Sequence, residues 1–154
     1  MICRELFMNR RWAVALAAFS FSAIAATAVV AQSDVIKQRQ TLLKEFGTVT
    51  KPVGGMLRGG TPFDLATVQA ALDTYAKNAK ELPNLFPAGS DTGDTDALPA
   101  VWTKNAEFKA LFAKFASDAT AARAAITDEA SFKANFPGVI KNCGTCHDTF
   151  RKKS

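Results

Sequence analysis

Four stretches with helical periodicity cover most of residues 34–151, and they constrain the fold more than any other feature. In each stretch apolar residues recur every three or four positions, as they do along one face of an α-helix. No Val/Ile/Thr-rich segment shows the alternation that a half-buried strand requires. The stretches span about residues 34–58, 64–82, 99–126 and 128–151. We therefore predict an all-α protein whose helices bury their apolar faces against one another.

The connections between these helices predict their arrangement. Asp34 is a candidate N-cap for the first helix. Pro52 and Pro137 should kink the first and the last helix, respectively. Residues 83–98 form one long loop rich in Gly, Asp and Pro, whereas the other connections are short. Short connections favour an antiparallel up-down-up-down four-helix bundle.

The N-terminus has the pattern of a secretory signal peptide. MICRELFMNRR holds three arginines, and the Ala-rich run of residues 12–30 is uncharged. The run closes with VVAQS, which places small residues at the −3 and −1 positions of a cut after Ala31. An uncleaved membrane anchor is the alternative, because the run is just long enough to span a bilayer. We predict that residues 1–31 are a cleaved signal peptide and that residues 32–154 form one exported domain.

The charge of the mature chain excludes some partners. Removing residues 1–31 takes away three of the 19 basic and one of the 14 acidic residues, leaving a net charge of about +3. Basic residues cluster only at Arg151-Lys152-Lys153, which is a short solvated tail. We expect no nucleic-acid partner and, after signal cleavage, no membrane. An exported protein of this kind is expected in the periplasm.

Cys143, Cys146 and His147 form a Cys-x-x-Cys-His motif at the end of the last helix, and His147 is the only histidine in the chain. Residues three and four apart share a helix face, so these side chains should point together toward the core. The pattern is typical of c-type haem attachment. Two thiols form thioethers with the vinyl groups, and the adjacent imidazole ligates the iron. We predict one covalently attached haem c per chain.

Three other interpretations of the motif are weaker. A thioredoxin-like pair would lie at a helix N-terminus after a strand, where the dipole lowers the thiol pKa. A zinc site would need a fourth ligand, and three ligands on one helix are cramped. A disulfide between Cys143 and Cys146 would leave His147 unexplained.

Topology predicts what surrounds this motif. In an up-down-up-down bundle the first and last helices are antiparallel neighbours. His147 should therefore face Arg39 and Leu43 on the first helix. The loop 83–98 and Trp102 should close over the same end of the bundle.

The chain resembles the cytochrome c′ family of class II c-type cytochromes. Members of that family are exported four-helix bundles with Cys-x-x-Cys-His close to the C-terminus. The resemblance covers essentially all of residues 33–154. The stretches that carry it are IKQRQTLLKEFG, TKPVGGMLRG, FDLATVQAAL, ELPNLFPAGS, GDTDALPAVW and NCGTCHDTFRKK.

The resemblance also implies which residues line the haem pocket. Arg39 and Gln40 resemble the pair that contacts a haem propionate, and Leu43 matches the residue that covers the distal face of the iron. The remaining matches are aromatic and basic: Phe86 and Trp102 around the haem, with Phe150 and Arg151 after the motif. Ordinary core or surface positions are the alternatives for these side chains. The resemblance further implies homodimers that pair through the first two helices.

The coordination of the haem iron separates two possible functions, gas binding and electron transfer. Met56 is the only methionine of the mature chain and lies thirteen residues beyond Leu43, about 20 Å along a helix. Since no second histidine exists, we predict a five-coordinate, high-spin iron under Leu43, although a lysine at high pH stays an alternative ligand. Such a site favours binding of NO and CO. The alternative is one-electron transfer to a periplasmic redox partner; no feature predicts an enzyme.

Overall fold

The computed structural model describes the backbone of residues 10–153 and the side chains of residues 32–153. The chain divides between Asp34 and Val35 into two compact units, and the second unit holds the helical bundle. The predicted signal peptide, residues 1–31, lies outside the residues whose side chains are described. Within the described part of the chain, no helix is long and apolar enough to cross a membrane.

The second unit is all-helical, which confirms the predicted fold class. The helices are α1 (Arg10–Leu57), α2 (Leu65–Glu81), a 3₁₀ turn (Leu82–Leu85), α3 (Ala100–Thr103), α4 (Asn105–Ala125) and α5 (Glu129–Phe150). The four long helices are those of the predicted bundle. The only bridge outside a helix among the described residues pairs Ala97 with Arg151.

Two helices differ from the predicted bounds. Helix α1 begins at Arg10, so Asp34 lies within it and does not cap it. The reason is that residues 10–34 contain no glycine or proline that would end a helix. The predicted third helix is interrupted at Lys104, whose backbone leaves the helical region (φ −115°, ψ 40°). There the Asn105 amide donates to the Val101 carbonyl at 3.1 Å, replacing a helical N–H.

The prolines inside the helices do not end them. Pro52 lies within α1 and Pro137 within α5, and both helices continue on either side.

Helix α5 begins with a capping box at Asp128. Asp128 accepts from the Ser131 N–H at 2.7 Å, and the Ser131 hydroxyl faces the Asp128 N–H at 3.0 Å, which makes a reciprocal capping box. The helix that carries the motif is therefore fixed at its far end.

Tyr75 of α2 joins the helices in the aromatic core. Its ring packs against Phe46 of α1, Phe115 of α4 and Phe136 of α5, with centroids 5.8, 5.3 and 6.3 Å apart. The hydroxyl shares a 2.6 Å hydrogen bond with Thr50 on α1. Burial raises the pKa of Tyr75 to about 12. Rings of this size stabilise the fold by about 1.5–3 kcal/mol each when buried, so Tyr75 holds α1 and α5 to the same core.

Candidate haem-binding site

The two cysteines lie half-buried on α5 as free thiols. Cys146 packs against the hydrophobic core. Desolvation raises the pKa of both thiols, to about 11 for Cys146, where the neighbouring Cys143 adds to the effect. Both thiols are therefore protonated at pH 7 and partly accessible.

His147 is exposed, which differs from the prediction that it points toward the core with the cysteines. The inward stripe at this end of α5 runs from Val139 through Asn142 and Cys146 to Phe150, so His147 lies one position off it. Its Nδ1 lies 3.5 Å from an Arg151 Nη1. Desolvation, followed by the charge of Arg151, lowers the pKa of His147. The imidazole is neutral at pH 7, which is the form that ligates a metal.

Arg39 is the most deeply buried charged side chain among the described residues, 2% exposed. One Nη donates to Ser90 Oγ at 3.0 Å, and the other donates to Ser90 O and Thr95 Oγ1, both at 2.8 Å. Burial lowers the pKa of the guanidinium, which nonetheless stays protonated. No carboxylate within residues 32–153 pairs with it. Arg39 thus fixes the long loop to α1.

Two aromatic rings, those of Phe86 and Trp102, lie against the Arg39 guanidinium. It stacks over Phe86 at 4.7 Å and approaches the Trp102 ring at 5.9 Å, both within cation–π range. The Trp102 indole N–H donates to the Pro87 carbonyl at 2.9 Å. Phe86 contacts Phe108, which in turn contacts Phe150 at 5.3 Å. The predicted pocket residues Arg39, Phe86, Trp102 and Phe150 therefore form one connected group.

Gln40 binds the same loop from the next position of α1. Its amide donates to the Asp94 carbonyl at 2.8 Å and to the Asp94 carboxylate at 3.3 Å. Both residues expected at a propionate therefore hold the loop through their side-chain nitrogens, and the propionate contact stays a prediction.

The end of α5 is joined to the loop by backbone hydrogen bonds. The Leu98 N–H donates to the Phe150 carbonyl at 2.9 Å, and the Lys152 N–H donates to the Asp96 carbonyl at 2.8 Å. These bonds flank the bridge between Ala97 and Arg151. The loop, Trp102 and the C-terminus of α5 thus meet at one end of the bundle, as the topology predicted.

Leu43 lies one turn beyond Arg39 on α1 and is 42% exposed. It is the one large apolar side chain that is exposed among residues 32–153. Its alternative interpretation as an ordinary core leucine is wrong, because Leu42 and Phe46 pack against the core in its place. An exposed leucine on α1 presents apolar surface that a flat apolar ring would cover.

The comparisons with known proteins agree with this arrangement. The family model for cytochrome c′ matches residues 34–151. The chain belongs to the cytochrome c′ family. It is 55% identical over 125 residues to cytochrome c′ from Rhodopseudomonas palustris, covering 80% of this chain and 86% of that protein. It is 40% identical over 138 residues to cytochrome c-556 from Agrobacterium fabrum, covering 89% and 93%.

A solved structure supports the same assignment. Cytochrome c′ from Rhodopseudomonas palustris superposes with a TM-score of 0.77 at 54% identity, covering 79% of this chain and 98% of that one. The protein is therefore a haem protein with covalently attached haem c. The residues present fit that group: two free thiols one turn apart, a neutral imidazole beside them and an exposed apolar leucine on α1.

Three residues at this end of the bundle were not predicted from the sequence. Ser90 and Thr95 accept the Arg39 hydrogen bonds, and Ser90 is only 1% exposed. Asn142, which precedes the motif, donates to Asp118 Oδ2 of α4 at 2.8 Å and to the Val139 carbonyl at 3.1 Å. The loop residues lie in an aperiodic polar segment, so no pattern marked them. A polar residue at a periodic inward position was the available signal for Asn142.

Replacing Arg39 by leucine should loosen the loop. The change removes the donors to Ser90 and Thr95 and leaves buried acceptors unpaired, so the free energy of unfolding should fall by roughly 2–4 kcal/mol. Urea unfolding followed by circular dichroism measures this loss. Gln40→Leu is the matched control, and since its bonds to Asp94 are exposed it should lose less than about 1 kcal/mol. Equal losses in the two variants would show that Arg39 does not fix the loop.

Proposed function

We propose that the protein is a periplasmic haem protein with five-coordinate, high-spin iron that binds NO and CO under Leu43. Haem c supplies the iron that binds the gas. Cys143 and Cys146 would hold the ring through thioethers, and His147 would ligate the iron. The observation that carries the proposal is Leu43, an apolar side chain left 42% exposed on α1, the helix that we expect beside the motif in an up-down-up-down bundle.

The other possible protein ligands support five-coordination. Met56 is 8% exposed and packs in the core. It lies thirteen residues beyond Leu43, about 20 Å further along α1. His147 is the only histidine. Neither a methionine nor a second histidine would therefore be available to the iron as a further ligand.

Leu43 determines which gases the site favours. It offers no hydrogen-bond donor, so a strongly polarised ligand such as O₂ gains no stabilisation from it. NO and CO are weakly polar and need no donor. The side chain also limits access of water, and it must move aside before a gas enters.

The surrounding residues have supporting roles in this proposal. Arg151 lies against His147 Nδ1 and favours the neutral imidazole. Arg39 and Gln40 hold the loop that carries Phe86, and the family resemblance makes this pair the expected contact of a haem propionate. Phe86, Trp102 and Phe150 form the aromatic wall. No catalytic residue is part of the proposal.

Export is part of the same proposal. We infer that residues 1–31 are a signal peptide removed after Ala31, and that the mature chain, residues 32–154, works in the periplasm. Covalent attachment through Cys143 and Cys146 suits an exported protein, since it keeps the haem from being lost. A homodimer is expected from the family resemblance.

Absorption spectra of the purified ferrous protein test the proposal. We expect a broad, high-spin Soret band without sharp α and β peaks, and a marked change on adding NO or CO. A stable O₂ adduct without an NO complex would contradict the role of Leu43. Sharp low-spin peaks in the absence of gas would favour the second candidate.

The second candidate function is one-electron transfer with a periplasmic redox partner. It is favoured by the exposed cations on the outer face of α1, on the same turns as Arg39 and Leu43. Such cations steer an acidic partner toward the protein. The two candidates share the haem site and differ in the ligation of its iron.

A further inference from the structure

The outer face of α1 carries a regular row of cations that the haem site does not use. Lys37, Lys44, Lys51 and Arg58, here named the α1 basic stripe, are spaced seven residues apart and are all exposed. Seven residues make nearly two helical turns, so the four side chains stay on one face over about 32 Å. Thr41 and Thr48 lie between them on the same face and are also exposed.

Within residues 32–153, no acidic side chain forms an ion pair with the stripe. The ion pairs among the described residues involve α2, α4, α5 and the residue before α4, and none includes a stripe residue. Glu45 borders the stripe, but its carboxylate accepts from the Asn78 amide of α2 at 2.7 Å. No acidic residue occupies the face between Lys37 and Arg58. The stripe is therefore a continuous positive surface.

We propose that the α1 basic stripe docks an acidic protein partner. Charge complementarity identifies the chemistry: a row of Asp or Glu side chains about 30 Å long, such as one face of an acidic helix, matches the stripe. The threonines between the cations are short, and their hydroxyls donate to the Lys37 and Lys44 carbonyls of the same helix, so they do not block a second backbone. Attraction of this kind raises the association rate more than it raises affinity.

A second copy of the chain and a membrane fit the stripe less well. A symmetric dimer through this face would bring the cations of one protomer against those of the other. A membrane-surface helix inserts an apolar face into the lipid, but Ile36, Val53 and Met56 of α1 are buried in the protein core. Lipid would therefore be held by charge alone. A homodimer of this chain would have to use another surface.

The α1 basic stripe lies close to the proposed haem pocket. Lys37 and Lys44 lie on the same turns of α1 as Arg39 and Leu43. A partner on this face would come within about one helix diameter, roughly 10 Å, of the haem pocket. This consequence rests on the proposed haem site, whereas the docking itself rests only on the charges of α1.

Two double variants with the same net charge test the docking. Lys44→Gln/Lys51→Gln removes two stripe cations, and Lys77→Gln/Lys109→Gln removes two exposed cations of α2 and α4 that form no ion pair within the described residues. Binding of the mature holoprotein to poly-L-glutamate is measured at low salt. The stripe variant should bind about fivefold to tenfold more weakly, and the control less than about twofold. Salt near 0.5 M should abolish the difference.

Cross-linking maps the contact in the unmodified protein. A carbodiimide joins a lysine amine to a carboxylate only where the two touch, so poly-L-glutamate should attach at Lys37, Lys44 and Lys51 before Lys77 or Lys109. Uniform attachment, or equal loss in both double variants, would overturn the proposal. Binding to vesicles of phosphatidylcholine and phosphatidylglycerol without binding to poly-L-glutamate would assign the stripe to a membrane instead.

CO binding by the haem is measured separately on the same samples. The CO difference spectrum should be unchanged in both double variants. Loss of the CO spectrum with intact poly-L-glutamate binding would contradict the proposed function alone. Normal CO binding without discrimination between the variants would contradict the docking alone.

Discussion

The double variant Cys143→Ala/Cys146→Ala should lose its covalent haem completely. Both thiols are half-buried on one face of α5, and each is expected to form one thioether. Extraction with acidified acetone should therefore remove all colour from the double variant and none from the unmodified protein. The single variants should keep the haem through the remaining thioether. Absorbance of the protein fraction after extraction is the measurement.

Thr145→Ala is the matched control for this result. Thr145 lies between the two cysteines and is exposed, and its hydroxyl only donates to the Lys141 carbonyl of its own helix. The control should stay coloured after extraction. A coloured double variant would mean that the attachment lies elsewhere, and a colourless control would mean that any change in this turn prevents attachment.

Leu43→Ala should raise the affinity for CO by about tenfold, the equivalent of roughly 1.4 kcal/mol. In the unmodified protein a gas must displace the leucine, and shortening the side chain removes that requirement. Because Leu43 is 42% exposed, the change should cost little stability. Titration of the ferrous protein with CO, followed in the Soret band, gives the affinities.

Leu42→Ala is the control for the Leu43→Ala variant. Leu42 is the neighbouring leucine but packs against the core, so its truncation should cost stability by roughly 2 kcal/mol or more and leave the CO affinity unchanged. Unchanged CO affinity in Leu43→Ala, or equal gains in both variants, would show that Leu43 does not cover the site.

Helical periodicity predicted the elements well because the apolar residues that recur every three or four positions are the ones that the packed helices bury. The predicted second and last helices, residues 64–82 and 128–151, differ from α2 and α5 by one residue at each end. The break at Lys104 was not predictable, since it depends on the Asn105 side chain taking over a backbone hydrogen bond. The start of α1 was missed because capping potential at Asp34 does not stop a helix that continues on both sides.

The place of Arg39 could be predicted from the sequence, but its hydrogen-bond partners could not. The bundle topology predicted that Arg39 faces the motif, and the family resemblance implied that it lines the haem pocket. The structure places it among the aromatic rings expected there. Its partners Ser90 and Thr95 lie more than fifty residues away in a loop without periodicity. Contacts of that kind depend on tertiary geometry, so the pattern of α1 alone could not identify them.

The motif itself was the easiest part of the site to find, and its orientation was the hardest. Spacing alone predicted a shared face for Cys143, Cys146 and His147. Helix α5 instead turns Asn142 and Phe150 inward, and Asn142 binds Asp118 of α4. A shift of one position along a helix rotates a side chain by about 100°, which is enough to bring His147 to the surface.

Covalent haem at the motif is tested by the mass of the peptide that contains residues 142–151, released by protease from the exported protein. We expect the peptide mass plus one haem, with fragmentation locating the added mass on Cys143 and Cys146. The bare peptide mass, or haem attached to any other residue, would contradict it.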